Sequence, residues 1–188
     1  NAIADVVFGD ANPSGKLTMS FPQAVGQCPI YYNHYNTGRP HKKNMRYVSR
    51  YQDIPTESYY PFGFGLSYSK FFYSDIKLSN KILDKHSKIV VDVNVKNISD
   101  VAGEEVIQLY IQDLVGSVVR PVKELKAFKK VKILPKEEVD VKFEISEEML
   151  KFWNESMKFE AEEGEFKVFV GSSSNEEDLL LDTFIYKK

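Results

Sequence analysis

From Phe71 onward, apolar and polar residues alternate in short runs separated by turn formers. Residues 88–96 put Ile89, Val91, Val93 and Val95 on one face, the period of a half-buried strand. Residues 105–113 put Ile107, Leu109 and Ile111 on one face and Val106, Gln108 and Tyr110 on the other, and the turn at 97–103 predicts that these two strands pair. Residues 138–145 repeat the pattern with Val139, Val141, Phe143 and Ile145. Residues 71–78, 129–134, 165–171 and 179–186 supply further strands, and 120–128 reads as edge-like because Pro121 cannot donate to a ladder. Ser146 is placed to cap a helical turn over 146–150, with two acids at its positive end.

Seven or so short strands over residues 71–188 predict a mainly β chain built on an antiparallel β-sandwich of immunoglobulin-like size. Cys28 is the only cysteine, so the bridge of antibody-type domains is excluded and a fibronectin type III-like sandwich fits better.

The first 70 residues follow no such period. Ala2, Ile3, Val6 and Val7 fall at helical spacing, and Gly9 is placed to stop the helix in a left-handed conformation. A turn-rich segment leads to Leu17-Thr18-Met19-Ser20-Phe21, which alternates as a strand until Pro22. Helix, turn and strand together form the end of an α/β layer, too small to fold alone, so we expect the chain to be the end of something longer. The expected organisation is residues 1–30 as the end of an α/β sandwich domain, 31–70 as loop and junction, and 71–188 as the β-sandwich.

Within the junction, Pro61, Gly63 and Gly65 are expected to turn the backbone, while Phe62, Phe64, Leu66 and Tyr68 offer apolar surface to pin the two parts into a rigid joint. Between residues 31 and 51, Tyr31, Tyr32, His34, Tyr35, Tyr47 and Tyr51 are interleaved with Asn33, Asn36, Arg39, Lys42, Lys43, Arg46 and Arg50. No period fits, and long irregular excursions are often functional. Aromatic faces stack on the C–H faces of sugar rings while Arg and Asn bond their hydroxyls, so a sugar site is one reading. Tyrosines wedged between domains, with solvated basic residues, are the other.

Composition narrows the classes. A net charge of −2 speaks against a nucleic-acid surface, and no apolar run reaches the length of a membrane span. The compartment is left open: unpaired Cys28 favours the cytoplasm, with periplasmic and secreted locations retained. No cofactor or metal is expected, since HExxH, paired CxxC and Walker A patterns are missing and His34, His41 and His86 lack ligand spacing. Gly63-Phe64-Gly65 lacks the third glycine of a dinucleotide fingerprint. The acids Glu147, Glu148, Glu155, Glu160, Glu162, Glu163 and Glu165 read as a solvated face rather than a catalytic pair. Asn97-Ile98-Ser99 and Asn154-Glu155-Ser156 match the glycosylation acceptor pattern at the level of chance.

Several ordered motifs nonetheless form a recognisable series. Gly9-Asp10-Ala11-Asn12-Pro13-Ser14-Gly15-Lys16-Leu17, Pro29-Ile30-Tyr31-Tyr32-Asn33, Asn36-Thr37-Gly38-Arg39-Pro40 and Tyr60-Pro61-Phe62-Gly63-Phe64-Gly65-Leu66-Ser67-Tyr68 resemble the C-terminal region of glycoside hydrolase family 3 β-glucosidases. Gly103-Glu104-Glu105-Val106-Ile107-Gln108-Leu109-Tyr110, Arg120-Pro121-Val122-Lys123-Glu124-Leu125-Lys126-Ala127-Phe128 and Gly164-Glu165-Phe166 resemble that family's fibronectin type III-like domain. The resemblance implies a parent of three parts, with a barrel Asp as nucleophile and a Glu, usually from the α/β sandwich, as acid, giving retention. Neither has a counterpart here, so this segment is expected to be inactive alone.

The resemblance also implies a β-linked oligosaccharide or glucoside as substrate, and the parent's own barrel and α/β domains as partners. Arg39, with Tyr35, Arg50 and Tyr51 behind it, is the candidate to border the aglycone side of the site, in its own chain or across a homodimer. Two alternatives stay open: a β-xylosidase-type parent, and a stand-alone carbohydrate-binding or adhesion module.

Overall fold

A computed structural model describes residues 1–42 and 44–188. The expected β-sandwich is formed. Its strands are β1 (Phe71–Leu78), β2 (Ile82–Leu83), β3 (Ile89–Asn97), β4 (Gly103–Asp113), β5 (Glu124–Ile133), β6 (Glu138–Ile145), β7 (Phe152–Trp153), β8 (Phe159–Glu160), β9 (Gly164–Gly171) and β10 (Leu179–Tyr186). One sheet has the order β1-β3-β6, the other β2-β10-β9-β4-β5, and β7 and β8 form a separate hairpin. The ladders are antiparallel except for the short β2–β10 pair.

The core follows from the period-two pattern. Ile89, Val91, Val93 and Val95 of β3 are fully buried, as are Ile107 and Leu109 of β4 and Val168 and Val170 of β9. Phe166 of β9 and Phe184 of β10, paired directly across the ladder, stack in the core at 5.4 Å between ring centroids. Burying side chains of this size contributes about 1.5–3 kcal/mol each, so the core rather than any crosslink holds the sandwich.

Four expectations need correction. β3 and β4 do not pair: β3 lies between β1 and β6, and β4 between β5 and β9. Both strands carry an apolar face, and these faces meet across the core. The link between them crosses from sheet to sheet and is fastened by buried Asn97, whose Nδ2 donates to the carbonyls of Val101 at 2.8 Å and Ile133 at 3.2 Å.

Residues 17–21 do not form a strand: Leu17 bonds the backbone of residues 63 and 64, and Phe21 makes an isolated antiparallel bridge with Tyr60. Pro22 and Pro61 beside it have no N–H to extend the ladder. The runs at 120–128 and 129–134 are not separate strands: residues 124–133 form one strand, β5, an edge of its sheet, and Pro121 lies before it, in an isolated bridge with Tyr35. At the turn Glu147–Leu150, Ser146 holds the N-cap position without a side-chain capping bond.

Helix α1 (Ala2–Phe8) ends at Gly9, which adopts the left-handed conformation with φ 87°. Its apolar side is uncovered: Ile3 and Phe8 are more than four-fifths exposed. His34, His41 and His86 lie at the surface, whereas Asn97 and Asn154, the two glycosylation-pattern asparagines, are buried. No helix among the described residues is long and apolar enough to cross a membrane.

Candidate functional site

The junction that precedes β1 ties residues 6–17 to the sandwich. Leu17 and Phe64 exchange close backbone contact, Leu17 N–H donating to the Phe64 carbonyl at 2.8 Å and Gly63 N–H to the Leu17 carbonyl at 2.8 Å. Gly63 has φ 81°, as the turn role requires. Gly65 acts differently from the expected turn: a Cβ there would lie 2.3 Å from the Gly15 carbonyl oxygen, so its role is close approach of two backbones.

Asn12 is the hub of this contact. Its Nδ2 donates to Ser69 Oγ and to the Ala102 carbonyl, each at 2.9 Å, and its Oδ1 accepts from Ser67 Oγ–H and Tyr68 N–H, each at 2.9 Å. All four hydrogen-bonding positions of the amide are therefore used. Lys16 Nζ meets Glu105 Oε1 at 3.0 Å, and the Tyr73 hydroxyl donates to the same oxygen at 2.8 Å. Of the four apolar residues expected to pin the joint, Phe62 and Phe64 are half-buried and Tyr68 bonds the Val6 carbonyl, but Leu66 is three-quarters exposed and pins nothing.

The 31–51 segment is irregular, as its lack of period predicts. Tyr32 stacks on Phe62 at 4.4 Å between centroids and presents its edge to Tyr110 at 5.6 Å. Its phenolic oxygen accepts from Leu125 N–H at 3.1 Å, and burial raises its pKa above the ordinary value. His34 contributes its carbonyl to Val122 N–H at 2.9 Å, and Tyr35 bridges to Pro121. Further out the loop closes on itself: Ser49 N–H donates to the Arg39 carbonyl at 2.8 Å, and Thr37 Oγ1–H to Ser49 Oγ at 3.0 Å.

This closure places Arg39 opposite Ser49, the residue that precedes Arg50 and Tyr51 in the chain. Arg39, Arg50 and Tyr51 are exposed at the outer part of the loop, and Tyr35 is exposed at its root. Lys43 lies outside the described residues. Polar groups support the root from within. Gln108, buried in β4, donates to the Ser172 carbonyl at 2.6 Å and the Gly63 carbonyl at 3.3 Å. Lys123, also buried, donates to the Ser174 carbonyl at 3.0 Å, while Ser174 N–H donates to the Phe62 carbonyl at 2.9 Å. The sequence assigns no supporting role to Asn12, Gln108 or Lys123, and it marks Tyr32 only as one of the loop's aromatics. The available signal was a polar residue interrupting an apolar strand, as at Gln108.

The acids expected to form a solvated face do so only in part, since Glu147, Glu160 and Glu162 are half-buried. Glu148, Glu155, Glu163 and Glu165 are exposed, and Glu162 is held in its charged form mainly by Ser117 Oγ–H, at 2.6 Å. The buried Asp113 carboxyl, raised in pKa chiefly by burial, faces Arg120, which also bonds Glu124 at 2.8 Å and lies over the Phe152 ring. Both carboxylates there serve a fixed guanidinium at one end of the sandwich. Among the described residues no group of His, Cys, Asp and Glu is arranged to hold a metal ion.

Comparison with known proteins gives a consistent series. Residues 1–68 match the glycosyl hydrolase family 3 C-terminal domain, and residues 105–174 match the fibronectin type III-like domain. A periplasmic beta-glucosidase of Salmonella typhimurium is 51% identical over 176 residues, which are 93% of this chain and 23% of that protein. A thermostable beta-glucosidase B of Acetivibrio thermocellus is 42% identical over 179 residues, 93% of this chain and 24% of that protein. The crystal structure of a beta-glucosidase from Listeria innocua in complex with glucose superposes with a TM-score of 0.92 at 49% identity, covering 99% of this chain and 26% of that one. The chain thus spans about a quarter of the length of these relatives. Residues 1–68 thus carry the C-terminal domain of glycosyl hydrolase family 3, and residues 105–174 carry a fibronectin type III-like domain.

Proposed function

We propose that this chain is the C-terminal part of a retaining β-glucosidase that removes terminal β-D-glucosyl residues from oligosaccharides and glucosides. The likeness to the Listeria innocua enzyme carries the reading, since it extends over 99% of the chain and that enzyme has been solved with glucose. A mutant form of it has been solved with laminaribiose, a β-linked disaccharide. The catalytic nucleophile and acid come from other parts of the complete protein, and this segment supports folding and shapes the site.

Residues 1–30 complete an α/β layer, 31–70 form loop and joint, and 71–188 form the sandwich. The uncovered side of α1, with Ile3, Val7 and Phe8 exposed, supports an α/β domain as its neighbour, because apolar surface of this kind marks a contact. It also weighs against the stand-alone module. The isolated chain should be inert on an aryl β-glucoside and the full-length gene product active; an inactive full-length product would refute the assignment.

Arg39 borders the aglycone side of the site, with Tyr35, Arg50 and Tyr51 as weaker contributors, in its own subunit or across a homodimer. Support comes from the exposed Arg and Tyr groups that loop closure gathers at residues 39 and 49–51. Arg39→Ala in the complete enzyme should lower kcat/KM on disaccharides, and an unchanged value would remove Arg39 from the site. A second reading, a β-xylosidase, is favoured by a beta-xylosidase of Formosa agariphila that is 39% identical over 183 residues. Parallel assays on aryl β-glucoside and aryl β-xyloside decide between them.

A further inference from the structure

The loop over residues 31–51 is attached to the β-sandwich at its root by a short antiparallel docking. Residues 32, 34 and 35 meet residues 125, 122 and 121 in that order. The site of attachment is the start of β5, an edge strand whose backbone donors would otherwise face solvent. A bulge adds to this: Leu109 is opposite Ala127 but Tyr110 is opposite Leu125, so Lys126 has no partner in the ladder and the edge is locally bent. The Tyr32 hydroxyl takes up the Leu125 N–H at this point, and its ring is held between Phe62 and Tyr110.

The far side of this seat is polar and buried. Lys123 is 6% exposed, and its ammonium holds the Ser174 carbonyl, whose own N–H holds the Phe62 carbonyl behind the stacked ring. Burying an ammonium costs free energy that an apolar side chain would not. Packing alone does not call for it; fixing one backbone position does. Beyond the root, the bonds of residues 37, 39 and 49 are internal to the loop, and the contact of His41 with Glu57 at 3.2 Å reaches the junction rather than the sandwich, so the loop's direction relative to the sandwich is set largely where it leaves Tyr32.

We propose that Tyr32 is a positioning residue for aglycone recognition: its ring and hydroxyl set the direction in which the 31–51 loop leaves the β-sandwich, and Lys123 holds its seat through Ser174. The fibronectin type III-like domain then acts on specificity without touching substrate. This rests on the reading that the loop borders the aglycone side.

The test uses the complete enzyme with Tyr32→Phe, Lys123→Met and, as reference, Arg39→Ala. Each is assayed on a β-linked disaccharide and on β-glucosyl fluoride, whose leaving group extends no further than the anomeric bond. Loss of one hydrogen bond predicts that Tyr32→Phe raises KM for the disaccharide about threefold to tenfold, with kcat little changed and kcat/KM for the fluoride unchanged. Tryptic cleavage after Arg46 and Arg50 should quicken in the same variant. Lys123→Met should act in the same direction; should it fail to fold, Tyr32→Phe, which removes a single oxygen, still decides.

Equal losses on both substrates, or no change in either kinetics or cleavage, would overturn the proposal. If Arg39→Ala alone raises the disaccharide KM, the positioning role fails and the loop reading stands. If Tyr32→Phe alone gives the split between substrates, the positioning role stands and Arg39 leaves the site.

Discussion

Gly63 and Gln108 occupy one corner of the junction with no space between them: a Cβ on Gly63 would lie 2.1 Å from Gln108 Oε1 and 2.7 Å from its Nε2. The amide cannot swing aside cheaply, because Nε2 bonds the Ser172 carbonyl and Oε1 accepts from the Tyr110 hydroxyl. Gly63 also holds φ 81°, which L side chains rarely adopt. Gly63→Ala should therefore destabilise the protein by roughly 2–4 kcal/mol in urea unfolding. Adding Gln108→Ala should recover the steric part and leave the backbone part. A single mutant that unfolds at the wild-type midpoint would show that the corner is looser than this geometry.

Asn12 offers two donors and two acceptor positions, and the surrounding groups match them one for one. Asn12→Ala should cost on the order of 2–4 kcal/mol, because it leaves several partly buried groups unpaired at once. Asn12→Asp keeps the shape but turns an acceptor toward the Ala102 carbonyl. It should lose as much as alanine does, and thermal unfolding of the two variants side by side measures this.

The strands were legible because period two survives in the sequence wherever one face is buried. β6 runs over the same residues, Glu138–Ile145, that its alternation marks. Which strand pairs with which was not legible. A face of Ile89, Val91, Val93 and Val95 looks the same whether its strand pairs with the next one or faces it across a core, and only contacts distant in sequence decide. The junction shows the same division. Pro61 and Gly63 declare a turn through their own backbones, whereas Leu66 has the composition of a buried residue and is exposed. The aromatic and basic composition marks the 31–51 loop, yet nothing local marks Tyr32 as its root. Its partners Phe62, Tyr110 and Leu125 are supplied by other segments.

Alkaline pH should unfold the chain through its buried phenols. Burial raises the pKa of Tyr32, Tyr73 and Tyr110 above the ordinary 10.0, with the Glu105 carboxylate adding to the effect at Tyr73. Above that pH the unfolded chain releases these protons while the folded chain keeps them. Their contribution is therefore complete below about pH 10 and is lost as pH rises further. Tyr186, whose pKa burial also raises, acts in the same sense, and Lys123, whose pKa burial lowers from 10.5, acts in the opposite sense but is one group against four phenols. Urea midpoints should fall steeply above pH 10, with phenolate absorbance appearing together with the loss of near-ultraviolet circular dichroism. Phenolate absorbance from these tyrosines in a chain that is still folded would contradict the assignment.

The ion pair of Lys16 and Glu105 joins the N-terminal segment to β4, with side chains only 14% and 4% exposed. Glu105 Oε1 receives both the Lys16 ammonium and the Tyr73 hydroxyl, so three segments distant in sequence converge on one oxygen. Removing one partner of such a pair leaves a buried charge without compensation, which typically costs 3–5 kcal/mol. Lys16→Met should therefore destabilise by about 3 kcal/mol, and Glu105→Gln by less, since the amide oxygen still accepts from Tyr73. The double variant Lys16→Met with Glu105→Gln should recover much of the loss, because no charge remains to be compensated. Double-mutant-cycle analysis of the unfolding free energies gives the coupling directly. A coupling near zero would mean that solvent already screens the pair and that Asn12 and the Gly63 corner hold the joint without it.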